Sequence, residues 1–172
     1  MPKYFGALTI ILLLGVVLTR VFLLKRQGIK AIKFGNIDKT DFLIPPFAFF
    51  YFYVLFAAAF HWPNVSRRQF FHSEIIAWAG VLFCIAGLVF FFWSLISFRQ
   101  SFQVGIDPDH PDKLITDGAF AFSRNPIYVA FATILVGEFL IFSNWITLIY
   151  LGAAAWLFHR QVLREEEYLN RH

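Results

Sequence analysis

The sequence predicts an all-α, polytopic transmembrane protein of about five spans, and three observations carry that expectation. Of its 172 residues, 59% are hydrophobic and only 15% charged, with a mean hydropathy of +0.63. A soluble domain is typically about a quarter charged and just under half apolar. The apolar residues gather into five runs, near 5–24, 42–60, 75–98, 127–142 and 145–163. Most come close to the roughly 20 residues a helix needs to cross a 30 Å hydrocarbon core. The lysines and arginines lie between the runs, apart from Arg20 and Arg160 near the ends of the first and fifth.

The same composition excludes other classes. With one residue in five aromatic, the chain is neither disordered nor collagenous. Cys84 is the only cysteine, which excludes an internal disulfide and a paired-cysteine zinc site. The net charge of +4 and pI of 9.4 do not form the single basic patch that nucleic acid requires. Retention of cations on one membrane face accounts for them better, so membrane lipids are the expected partners and nucleic acid is not.

The first run, Phe5 to Leu24, is as long as a full span and lacks a small-residue cleavage site, so it reads as a mature helix and not a signal peptide. Arg20 near its end can snorkel to the interface. The second run, Phe42 to Phe60, holds Pro45 and Pro46 in its first turn, where proline costs least. His61 and Trp62 follow it as interfacial anchors, ahead of an Asn64-Val65-Ser66 sequon. The third run, Ile75 to Phe98, carries no charge. The fourth, Ile127 to Phe142, contains Glu138, and only Ser143 and Asn144 separate it from the fifth, so the two form a tight antiparallel hairpin. Glu138 lies near the turn, where snorkelling or an interhelical hydrogen bond is the expected relief.

Orientation follows from the cations. Lys25, Arg26, Lys30, Lys33, Lys39, Arg99, Lys113, Arg124, Arg160, Arg164 and Arg171 share one side of a five-span arrangement. Lys3, Arg67 and Arg68 occupy the other. The excess places the N-terminus outside and the C-terminus in the cytoplasm.

Polar residues then concentrate in two cytoplasmic places, the loop from Arg99 to Pro126 and the end of the last run, His159 to Tyr168. In the loop, Asp107, Asp109, His110 and Asp112 do not match a calcium loop, because Pro108 and Pro111 interrupt it, and no metal is expected. Asp117-Gly118 marks a turn. Glu165, Glu166 and Glu167 near a helix C-terminus oppose the macrodipole, a small cost that favours a binding role.

Leu114-Ile-Thr-Asp-Gly-Ala-Phe120, then Ser123-Arg-Asn-Pro-Ile-Tyr128, then the hairpin, then Arg164-Glu-Glu-Glu-Tyr-Leu169 resembles the integral membrane methyltransferases. That group includes the isoprenylcysteine carboxyl methyltransferases and the phospholipid methyltransferases. The similarity covers the chain from Arg99 onward, within one membrane domain of residues 1–172 whose catalytic part is 99–172. It implies an S-adenosylmethionine-dependent enzyme that methylates a lipophilic acceptor drawn from the bilayer.

By the same resemblance, cofactor contacts fall at Leu114, Thr116, Gly118, Arg124, Asn125, Pro126, Tyr128, Glu165 and Glu166, and catalytic roles at Arg124, Arg160 and Gln161. The chemistry is apt. A glutamate pairs with the ammonium or accepts from ribose hydroxyls. Arg124 meets a carboxylate as a fork, and Tyr128 offers a ring face to a cation. Gln161 stands where prenylcysteine enzymes place an arginine, and Asn125 where many relatives carry histidine. The sequence stops at Arg171-His172, before the tyrosine-rich segment usual in relatives. His110 and His159 are the available bases should the acceptor need deprotonation. Two other classes stay open: a sterol-reductase-like membrane enzyme that binds NADPH, and a small membrane protein without catalysis.

Overall fold

A computed structural model describes residues 1–26, 44–60, 62, 69–98, 117–123 and 125–171. Five α-helices account for nearly all of them: α1 (Pro2–Arg26), α2 (Ile44–Ala59), α3 (Glu74–Phe98), α4 (Pro126–Phe142) and α5 (Trp145–Arg171), with a single 3-10 turn at Gly118–Ala121. No strand occurs among the described residues. The expected runs coincide with these helices to within three residues at every boundary but one. The exception is α5, which continues eight residues beyond Leu163.

α1 and α3, each of 25 residues, extend about 37 Å at 1.5 Å per residue, ample for a bilayer. These two helices are long and apolar enough to cross a membrane. α2 and α4, with 16 and 17 residues, reach about 25 Å and fall short of that standard. The large side chains left exposed are apolar on several helices: Leu8, Ile11 and Leu12 on α1, Leu82, Phe83 and Val89 on α3, Ile149 and Trp156 on α5. A helix apolar on all sides belongs in lipid or in a large core. This bundle is too small to supply such a core, so the exposed faces suit lipid.

The bundle is organised around α3 and α4, which run antiparallel. Gly80 of α3 and Gly137 of α4 meet backbone to backbone: a Cβ on either would lie 2.6 Å from the other's carbonyl oxygen. Without a hydrophobic drive between helices in lipid, such close approach is what makes them adhere. α1 packs on α3, and α2 bridges α1 to α5, where Tyr51 meets Tyr150 at 4.8 Å between ring centroids. One buried cluster, including Ile10, Leu55, Cys84, Ile141 and Phe142, sits toward the α4–α5 turn. A second, including Leu13, Phe91, Leu95, Ala130 and Ile134, sits toward the opposite end.

The turn between α4 and α5 is tightly built, as Ser143-Asn144 implies. Ser143 takes the left-handed conformation (φ 36°) and donates its N–H to Phe139 at 2.7 Å. Asn144 caps α5: its Oδ1 accepts the N–H of Thr147 at 2.9 Å, while Thr147 Oγ1 accepts the N–H of Asn144 at 3.2 Å. This reciprocal pair satisfies two donors that a helix start leaves orphaned. Ser143 is also tied to the segment before α3, accepting from the Phe70 N–H at 2.7 Å and donating its hydroxyl to the Phe71 carbonyl at 3.1 Å.

Candidate functional site

The antiparallel packing gathers the end of α3, the Gly118 turn, the start of α4 and the C-terminal half of α5 at one end of the bundle. This is the end to which the sequence assigns its motifs. Asp117 is extended and Gly118 has φ +63°, a conformation that favours glycine. The turn is anchored on α3: Ser97 Oγ accepts the Ala119 N–H at 3.0 Å, and Phe122 sits edge-on to Trp93 at 5.4 Å. Asp117 and Gly118 remain exposed, whereas Ala119 is buried.

Beyond the turn the chain enters α4. Asn125 is its N-cap and Pro126 its first residue, buried, where the missing N–H costs nothing. The Asn125 carbonyl accepts the N–H groups of Tyr128 and Val129 at 3.1 and 3.3 Å. The Tyr128 ring stacks on Phe158 of α5, 5.3 Å between centroids and 23° between planes. Phe158 also meets Phe131 at 6.2 Å. One face of Tyr128 is therefore covered by Phe158, which ties the start of α4 to α5.

Phe158 fixes the rotational register of α5. Glu165 follows it by seven residues, close to two turns, and so returns to the Phe158 side of the helix. Glu166 lies about 80° round from that line and Glu167 about 180°. Gln161 falls about 60° from the Phe158 direction and Arg160 about 160° away. Arg160 also stands over its own helix's Trp156, with the guanidinium 5.5 Å from the ring centroid. Of the two neighbouring candidates, the position nearer α4 is thus Gln161.

Gly118, Asn125, Pro126 and Tyr128 are brought together. Glu165 and Glu166 are placed by the helix path alone, and the side chains of Gln161, Glu165 and Glu166 fall outside the described residues, as do Leu114, Thr116 and Arg124 and the loop positions Asp107, Asp109, His110 and Asp112. The acidic triplet does not end its helix, because α5 runs on to Arg171. The macrodipole acts within the last turn, so its penalty on these glutamates is smaller than the sequence suggested. Ser97 and Phe158 were not legible as site residues. Their only signals were a hydroxyl in the last turn of an uncharged span and an aromatic one turn before the polar end of α5.

The opposite end of the bundle is different. A cavity of about 330 Å³ opens there between α1, the start of α3 and the end of α4, with Lys3, Gln69, His72 and Glu74 among its lining. It contains none of the motif residues. Below it, Glu138 is fully buried and neither carboxyl oxygen has a hydrogen-bond partner among the described residues. Glu138 does not snorkel: it is fully buried, with the Cys84 thiol of α3 as its polar neighbour. Gly6 of α1 closes over the carboxyl so tightly that a Cβ there would lie 2.7 Å from Oε2. The Cys84 thiol also donates to the Ile134 carbonyl, at 3.8 Å.

No curated protein and no solved structure matches the chain. The phospholipid methyltransferase family model matches residues 75–172, which is α3, the Gly118 turn and the α4–α5 hairpin. The matched unit therefore starts a full helix earlier than the Arg99 boundary expected from the motifs, and it includes the helix on which the Gly118 turn is anchored. With more than half its length in that match, the chain belongs to the phospholipid methyltransferase family.

Proposed function

We propose that this chain is an integral membrane methyltransferase that uses S-adenosylmethionine and acts on a lipophilic acceptor reaching it from the bilayer. The observation that carries the reading is the convergence of the Gly118 turn, the Asn125–Tyr128 start of α4 and the glutamate-bearing half of α5 at one end of a family-matched bundle.

The residues suit the cofactor. Gly118 is exposed on its turn, and Tyr128 stands at the start of α4, stacked on Phe158 of α5. Glu165 and Glu166, on or near the Phe158 side of α5, carry the anionic oxygens that an ammonium or ribose hydroxyls require. Arg124, next to the Asn125 cap, supplies a fork for a carboxylate. When bound, S-adenosylmethionine supplies an electrophilic methyl group on a sulfonium. The protein's part is to hold that group and exclude water, while the acceptor is brought into line by α4 and α5. Gln161, on the α4-facing side of α5, is the neutral hydrogen-bonding group placed to orient the acceptor, and Arg160 serves the outer side.

We place the whole chain in one membrane domain, with α3–α5 as its working part. The N-terminus lies outside, and the Gly118 end faces the cytoplasm. The test is a calorimetric titration of the purified protein with S-adenosylhomocysteine and with NADPH, followed by transfer of labelled methyl into membrane extracts. Binding of the first alone, with a labelled lipid product, is the expected outcome. Binding of NADPH alone would move the chain to the reductase class, and binding of neither would leave a membrane protein without this catalysis.

A further inference from the structure

We propose that Ser97 is a positioning residue for the cofactor turn, joining the end of α3 to the Gly118–Ala121 turn through its hydroxyl's bond to the Ala119 N–H; the proposal rests on the reading of residues 117–128 as part of the cofactor site. Three observations meet at this one side chain. The hydroxyl donates to the Trp93 carbonyl, 2.9 Å away and four residues back on α3. Its only proton is thereby committed, and a lone pair is turned toward the Ala119 N–H at 3.0 Å. Ala119 is fully buried, so its N–H has no water to replace Ser97, and a buried donor without a partner is costly.

Gly118 gives the second observation. A Cβ at this position would collide with Ser97 Oγ, so the hydroxyl fills the space that the glycine leaves. Sequence and structure agree on why residue 118 carries no side chain: its φ of +63° disfavours one, and the docked hydroxyl excludes one. Third, Phe122 closes against Trp93, so both ends of the 3-10 turn are fastened to the last two turns of α3. The chain then needs only Ser123 and Arg124 to reach the Asn125 cap, and Ser123 Oγ accepts the Asn125 N–H at 3.2 Å. The placement of Gly118, Asn125 and Tyr128 relative to one another is thus referred back to α3. Ser97 acts through the turn.

The test compares the full-length protein with Ser97→Ala and Ser97→Thr. It measures S-adenosylhomocysteine affinity by calorimetry, and KM for S-adenosylmethionine and kcat by labelled methyl transfer. Ser97→Ala should weaken binding and raise KM by roughly five- to a hundredfold, the equivalent of one orphaned buried N–H, with a smaller change in kcat. Ser97→Thr keeps the hydroxyl and should restore most of the affinity. Should Ser97→Ala fail to fold, Gly118→Ala displaces the turn while keeping the hydroxyl, and it should lose affinity to a similar degree. A native protein that binds beside an equally tight Ser97→Ala overturns the role of Ser97 alone. Equal impairment of the Ala and Thr variants also overturns it, by making volume and not the hydroxyl the cause. A native protein that binds no S-adenosylhomocysteine overturns the site reading itself.

Discussion

Two glutamates on neighbouring helices carry different expectations. Glu138 is fully buried beside Gly6 and Cys84, with no hydrogen bond of good geometry to either oxygen among the described residues, whereas Glu165 belongs to the polar stretch of α5 that follows His159. An unsatisfied buried acceptor costs about 1–3 kcal/mol, and replacing it with an apolar group of similar shape recovers much of that. Glu138→Met should therefore raise the thermal midpoint in detergent; a lower midpoint would reveal a partner for the carboxyl. Glu165→Gln and Glu166→Gln should each weaken S-adenosylhomocysteine binding about ten- to a hundredfold, the worth of a charge-assisted hydrogen bond at about 1.5–3 kcal/mol. Glu167→Gln, on the far side of the helix, should change little. Equal and negligible effects at all three would remove the glutamates from the site. The sequence made Glu165 and Glu166 visible because they belong to a local motif. It hid Ser97, whose role depends on a contact spanning 22 residues, and it misjudged Glu138, whose distance from the turn along α4 does not reveal that α1 closes over it.

The helices themselves were the most legible part, because a run of apolar residues long enough for lipid leaves little choice but helix. Their partners were not, since residues apolar on every side do not say which side meets another helix. The α3–α4 seam is the clearest case. Gly80 and Gly137 are two glycines among ten in the chain, and nothing in their local sequence announces that they oppose each other. Gly137→Ala would drive a methyl toward the Gly80 carbonyl and Cys84 Sγ, 2.6 and 2.7 Å from the new carbon. Overpacking of this kind costs about 1–3 kcal/mol. The thermal midpoint should fall, and S-adenosylhomocysteine affinity should fall with it, since the same two helices carry the Gly118 turn and the Asn125 cap. A variant as stable as the native protein would show that the seam can part without loss.

Over the whole molecule, charge and helix direction agree. α1, α3 and α5 all end where the Gly118 turn lies, and Lys25, Arg26 and Arg160 lie at or beyond that end. A reporter fused after His172 should therefore read as cytoplasmic by the cation excess. An exoplasmic signal would reverse both the orientation and the face from which the cofactor enters. The five-span expectation meets a mixed set of lengths, with α1 and α3 able to span outright while α2 and α4 are about 5 Å short of a 30 Å core. Short helices beside long ones are accommodated by local thinning or by tilt, and thinning would bring the lipid headgroups closer to the start of α4.

α5 also behaves as a lever. Its 27 residues make a rod of about 40 Å, seated at one end by the Asn144–Thr147 cap and the Ser143 ties, and braced partway along where Phe158 meets Tyr128 and Phe131. A swing of only about 5° about the seated end carries the other end through roughly 3.5 Å over that length. Misplacement of about 1 Å is enough to slow a positioned reaction by about a hundredfold. On the proposed reading of the site, the placement of Glu165 and Glu166 therefore depends in good part on a handful of hydrogen bonds at residues 69–71 and 143–147, at the other end of the rod.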